Sequence, residues 1–295
     1  MMLIYGGWSL HASATQPNEI ERIEHVIKLR KAPKEGAKEA IATLLSYLQD
    51  KSPKVRSQAL VSMTSLLRDH KLACTLEMIK MLFDPDADVR ASASNMVAAF
   101  ERYPDGALPL LLKAMESEDA FVRHHAPHML SYMGKNDQVV AALRKGMQDR
   151  DFMVRNNAGV ALGKILDDFS IPIPCWLEAI GKSEENQLAK KPILEKEEAH
   201  LMNMLALSTA TLFHDESRNN PKRFADALVK QLDHASPLVR RIAVRQLGAA
   251  AIDNPKLKEV FQSMQLLKTL QRFVDDADTR MRAEVKTAIE RIQQK

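Results

Sequence analysis

A short motif returns six times along this chain, and repetition at a period of about 33 residues leaves few folds open to it. The motif is a turn rich in Asp, Ser or Pro, an apolar residue, and then Arg. Ala usually follows three positions later and an apolar residue seven later. It reads SPKVRSQALVSM at Arg56, DADVRASASNMV at Arg90 and DAFVRHHAPHML at Arg123. It continues as DFMVRNNAGVALG at Arg155, SPLVRRIAVRQLG at Arg240 and DTRMRAEVKTAI at Arg282. The first four arginines are 34, 33 and 32 residues apart, and the later gaps of 85 and 42 hold an enlarged unit and a longer last one.

Each motif is predicted to open a helix. In the first, Val55, Ala59 and Met63 stand at i, i+4 and i+8, on one helical face, and Leu60, Leu66 and Leu67 widen the stripe. Ser52-Pro53, Asp84-Pro85-Asp86 and Ser236-Pro237 supply caps and first-turn prolines. A second apolar stripe precedes each motif, as in Ala37, Ala40, Ile41, Leu44, Leu45 and Leu48. Each unit is therefore helix, turn, helix, and it buries both apolar faces only by stacking on its neighbours. Composition agrees: 45% apolar, 27% charged and only 5% aromatic residues favour an all-α chain with a real core.

The signature D-x-x-V-R-x-x-A-x-x-x-L-G resembles that of the HEAT repeat family, in particular its short bacterial-type units. Val154-Arg155 with Ala158, Leu162 and Gly163, and Val239-Arg240 with Ala243, Leu247 and Gly248, match best. The resemblance implies an all-α, right-handed α-α superhelix, a HEAT-type α-solenoid of about seven helix pairs, with second helices lining the concave side. It implies structural roles for Arg56, Arg90, Arg123, Arg155, Arg240 and Arg282, bonded to acids at the turns such as Asp86, Asp88, Asp119, Asp149, Asp151 or Asp278. The expected organisation is a tail (1–16), an N-terminal capping helix (17–33), four regular repeats (34–168), an enlarged degenerate repeat (169–219) and two C-terminal repeats (220–295). Within the enlarged repeat, Trp176 is expected on a first helix with Ile173, Leu177 and Ile180. Lys182 to Lys191 reads as a loop. Ile193 to Phe213 reads as a long helix carrying Leu194, Leu201, Met204, Leu205 and Leu212.

Chemistry-bearing clusters are few. His124 and His128, four apart on one helix face, are the candidate metal ligands. Arg123-His124-His125 resembles the R-H-E segments of HEAT-type deoxyhypusine hydroxylases, but His125 replaces the Glu and no other unit repeats a His-Glu pair. The two-His set is thus incomplete, and the expectation is no metal and no cofactor. Pro127 should bend or shorten its helix. Basic residues recur on second helices, most densely at Arg240, Arg241 and Arg245; with Arg123 and His124, the latter two are the candidate partner contacts. The net charge of +4 is well short of a dedicated nucleic-acid binder. Two cysteines a hundred residues apart form neither a disulfide framework nor a zinc spacing.

The leading expectation is a non-catalytic scaffold in the cytoplasm that binds a protein partner through its second helices. The alternatives are a nucleic-acid binder resembling the HEAT-like alkylpurine DNA glycosylases, and a metal-dependent or lyase-type enzyme. No run of 18 apolar residues exists to span a membrane. Residues 1–14 end in Ala12-Ser13-Ala14, like an export cleavage site, but lack a basic start. They are expected to pack Leu3, Ile4 and Trp8 on the first helix.

Overall fold

A computed structural model describes residues 17–189, 193 and 196–294. Leu3, Ile4, Trp8 and the rest of residues 1–14 lie outside the described residues, as does Leu194. Among the described residues there are sixteen α-helices and no strand. They fall into two compact units, one reaching Ala114 and the other starting at Met115.

The first unit holds α1 (Glu19–Leu29), α2 (Ala37–Tyr47), α3 (Pro53–Asp69), α4 (Leu76–Lys80), α5 (Ala87–Ala98) and α6 (Ala107–Ala114). The motif helix α3 packs between α1 and α5, while α2 and the α4–α6 pair flank that row. Val55, Ala59, Leu60, Met63 and Leu66 of α3 are fully buried, as are Val89, Ala93 and Val97 of α5. Ala59 and Ala93, three positions after Arg56 and Arg90, let neighbouring motif helices approach closely.

The second unit holds α7 (Ala120–Leu130), α8 (Asp137–Gly146), α9 (Phe152–Leu166), α10 (Ile173–Leu188), α11 (Lys196–Asn219), α12 (Pro221–Val229), α13 (Pro237–Asp253), α14 (Pro255–Ser263), α15 (Leu266–Gln271) and α16 (Thr279–Gln293). Its motif helices form a row in which α7 packs on α9, α10 lies between α9 and α13, and α13 packs on α16. Such side-by-side stacking of helix pairs is the packing of an α-solenoid. The glycine that closes the motif is explained by this row. A Cβ on Gly248 would stand 2.8 Å from the Cα of Ala288 in α16, and one on Gly163 would stand 3.1 Å from the Pro172 ring.

Three local expectations are corrected. Trp176 is not on a first helix: α10 stands in the row of motif helices, and Trp176 stacks edge-on against Phe169 and Phe213 at 5.7 and 6.2 Å. Lys182 to Leu188 is helix rather than loop. Its polar side chains face α11 and α13, where Gln187 bonds Asn203 and Glu185 bonds Arg241. The long helix begins at Lys196 and runs to Asn219. Its buried line includes Met202, Thr209, Phe213 and Ser217, leaving Met204 and Leu212 exposed.

Candidate functional site

All six motif arginines make the same local bond. Each sits four residues after its helix N-cap and donates through Nη1 to the two backbone carbonyls six and five residues before it. The pairs are Asp50 and Lys51 for Arg56, Asp84 and Pro85 for Arg90, and Ser117 and Glu118 for Arg123. They are Asp149 and Arg150 for Arg155, His234 and Ala235 for Arg240, and Asp276 and Ala277 for Arg282. The side chain thus closes the turn that begins its own helix.

For Arg56, Arg123 and Arg155 the other side of the guanidinium reaches an acid further along the chain. Arg56 forks onto Asp84 at 2.9 and 2.7 Å, Arg123 onto Asp149 at 2.9 and 3.3 Å, and Arg155 reaches Glu178 at 3.2 Å. Bidentate pairing of this kind is geometrically specific. Burial alone would raise the Asp149 carboxyl. The Arg123 fork and the Asp151 N–H outweigh it and hold the group below the ordinary carboxylate value. Of the turn acids suggested by the resemblance, Asp149 takes this position. Asp86, Asp119, Asp151 and Asp278 instead cap their helices by accepting first-turn N–H bonds.

The sequence reading missed Arg22, which follows the N-cap Asn18 by four residues, donates to the Pro17 carbonyl at 2.7 Å and forks onto Asp50 at 2.8 and 3.1 Å. The cap-plus-four spacing was the available signal; the missing Ala three residues on concealed it. So α1, expected to be a plain cap, carries the repeat's own arginine.

The four expected partner contacts have different surroundings. The Arg123 guanidinium is buried in the turn just described. Arg241 is also buried and pairs with Glu185 at 3.2 Å, which also accepts from Arg280 at 3.1 Å. Arg245 pairs with Glu184 and lies 3.6 Å from Glu284. These pairs tie α10, α13 and α16 together with alternating charge. Arg241 and Arg245 are therefore near each other, and His124 is elsewhere in the row.

His124 lies at the junction of α7 and α9. Its Nε2 is 2.8 Å from Asp151 Oδ1, and its carbonyl accepts from Asn157 Nδ2 at 2.8 Å. His124, His125 and His128 line an open cavity of about 280 Å³ with Ser131, Asn157, Val160, Ala161 and Lys164. His125 Nδ1 bonds the Phe121 carbonyl at 3.0 Å, and the two rings lie 4.8 Å apart. Since a carbonyl only accepts, that nitrogen carries the proton. His128 stacks edge-on against Tyr132 at 5.2 Å, and Lys164 Nζ sits 3.7 Å over the Tyr132 ring. Among the described residues, no group of three or more His, Cys, Asp or Glu has metal-holding geometry. Pro127 lies within α7, which ends three residues later at Leu130 without an interruption.

The two cysteines are buried and unpaired. Burial pushes the Cys74 thiol up to about 12 and that of Cys175 up to about 11, so neither is an activated nucleophile.

These features define an all-α helical-repeat protein whose units are fastened by motif arginines. Within it, residues 75–163 match a family model described as HEAT repeats. No curated protein matches. Among solved structures, a designed armadillo repeat protein in complex with the peptide (KR)4 is 17% identical, covering 92% of this chain and 99% of that one, with a TM-score of 0.28. An engineered protein is 15% identical, covering 95% of this chain and 76% of that one, with a TM-score of 0.36.

Proposed function

We propose that the chain is a non-catalytic HEAT-repeat scaffold that binds a polypeptide segment along the exposed sides of its motif helices. The observation that carries this reading is the open cavity between the consecutive motif helices α7 and α9. His124, His125, Asn157, Val160 and Lys164 line it from the two helices, and Phe121, beside the His125 ring, and Val160 are exposed at 37% and 42%. Extended surface built from neighbouring repeats suits an elongated ligand better than a small molecule. In this reading the motif arginines are structural, His124 stays among the contacts, and Arg123, Arg241 and Arg245 hold the helices that present them.

The charge pattern favours a protein over a nucleic acid. Phosphate binding needs a run of unneutralised cations, whereas Glu184, Glu185 and Glu284 interrupt the densest basic stretch. Unpaired buried thiols suit a reducing compartment such as the cytoplasm. The test is affinity capture of tagged protein from native lysate, with and without nuclease, read by mass spectrometry. A stoichiometric protein that survives nuclease is expected. Partners that vanish with nuclease would overturn the reading.

A further inference from the structure

We infer that the cavity between α7 and α9 seats an acidic stretch of the partner polypeptide. One Asp or Glu carboxylate docks at Lys164 and the adjoining imidazole edges, and a neighbouring apolar residue rests on Val160. The inference rests on the scaffold reading and adds the chemistry of the partner.

Charge complementarity carries it. The lining residues include one ammonium and three imidazoles and no carboxylate. Lys164 Nζ is 3.4 Å from the Ser131 hydroxyl and 3.7 Å over the Tyr132 ring, and it has no carboxylate partner among the described residues. Several other cations in the same unit are neutralised: Lys145 by Glu116 at 2.9 Å, Lys182 by Glu178 at 3.0 Å, Arg241 by Glu185. Asp151 does reach the His124 imidazole, but its Oδ1 is shared with the Met153 and Val154 N–H groups as the cap of α9. Lys164 is exposed, so an incoming carboxylate gains the modest, solvent-screened attraction of a surface ion pair, added to the ammonium's place over the Tyr132 ring. The cavity of about 280 Å³ falls below the roughly 300–1,000 Å³ of small-molecule sites. It suits a side chain or two of a longer segment, and the exposed Val160 and Phe121 beside it give that segment an apolar contact.

The test is selection of a random 12-residue peptide-display library on the full chain, followed by affinity measurement for the enriched peptides. Enrichment of Asp or Glu at one fixed position next to an apolar residue is expected. Binding should fall about two- to fivefold in Lys164→Ala, the loss of one exposed ion pair. It should return in Lys164→Arg and stay unchanged in Lys222→Ala, which alters a different cavity. Enriched peptides that lack acids, or that ignore Lys164→Ala, would overturn the acidic seat while leaving the scaffold intact. A library that enriches nothing would overturn both. Displacement of the peptides by a 12-nucleotide DNA strand through Lys164 would reassign the seat to phosphate.

Discussion

Replacing Arg123 by Ala should cost far more than removing an ordinary surface cation. The guanidinium makes four hydrogen bonds, at 2.9 and 3.3 Å to the Asp149 carboxylate and at 2.8 and 3.0 Å to the Ser117 and Glu118 carbonyls. The two charged side chains are only 6% and 15% exposed. Breaking a fully buried pair costs about 3–5 kcal/mol, because the remaining charge is left without compensation. An exposed pair is worth about 0.2–1 kcal/mol. Asp149 keeps its bond from the Asp151 N–H at 2.8 Å and some contact with water. The expected loss is therefore about 2–4 kcal/mol, between these limits. For a unit of this size that lowers the melting temperature by roughly 5–12 °C. Arg280→Ala is the control: its pair with Glu185 is similarly short at 3.1 Å, but the arginine is 62% exposed, so the loss should stay under about 1 kcal/mol. Urea and thermal unfolding of both variants decide the matter. Equal losses would refute the claim that the motif arginine fastens its turn. The double variant Arg123→Ala with Asp149→Ala should be milder than the sum of the single variants, since it leaves no orphaned charge.

Other consequences are open to simple assays. Gly248→Ala places a methyl 2.8 Å from the Ala288 backbone and should cost about 1–3 kcal/mol by forcing α13 and α16 apart, measured by urea unfolding. Stability should fall with acid in two stages in a melting series from pH 8 to 3. Burial, helped by the Arg240 charge, lowers the His234 pKa, and its ring accepts from the Ser236 N–H. A histidine whose folded pKa is depressed stabilises the fold above its unfolded value near 6.5 and loses that contribution as pH falls. The second stage comes from Asp50, Asp149, Asp168 and Asp278, all held below the usual 3.8. They stabilise the fold above that value and lose the contribution as the pH falls through their folded pKa values. His234→Gln should remove the first stage and leave the second. Cys74 and Cys175 should react with a thiol reagent at the unfolding rate and no faster, given their burial.

The repeat was legible because one helical face must read the same way in every unit. Val55, Val89, Val122, Val154 and Val239 precede their arginines and are all buried, as the period requires. Arg22 was harder to see, since His25 stands where five of the six motifs place Ala. The place of α10 in the row was also hidden, because it lacks the motif arginine and contributes Glu178 to its neighbour's instead. Pairings between distant segments had no local signal: the contacts of Glu185 with Arg241 and Arg280 span 56 and 95 residues. Spacing identified the His124 face but could not show that Asp151 holds its ring or that Lys164 overhangs Tyr132. Those facts depend on how α7 and α9 pack.

The most direct test of the central claim is a photo-crosslinking residue placed at Val160, with the same residue at the exposed Ile252 of α13 as a control. In cells, the Val160 position should yield one dominant polypeptide adduct that resists nuclease and is absent from the Ile252 position. An adduct to nucleic acid, or the same products from both positions, would contradict the account.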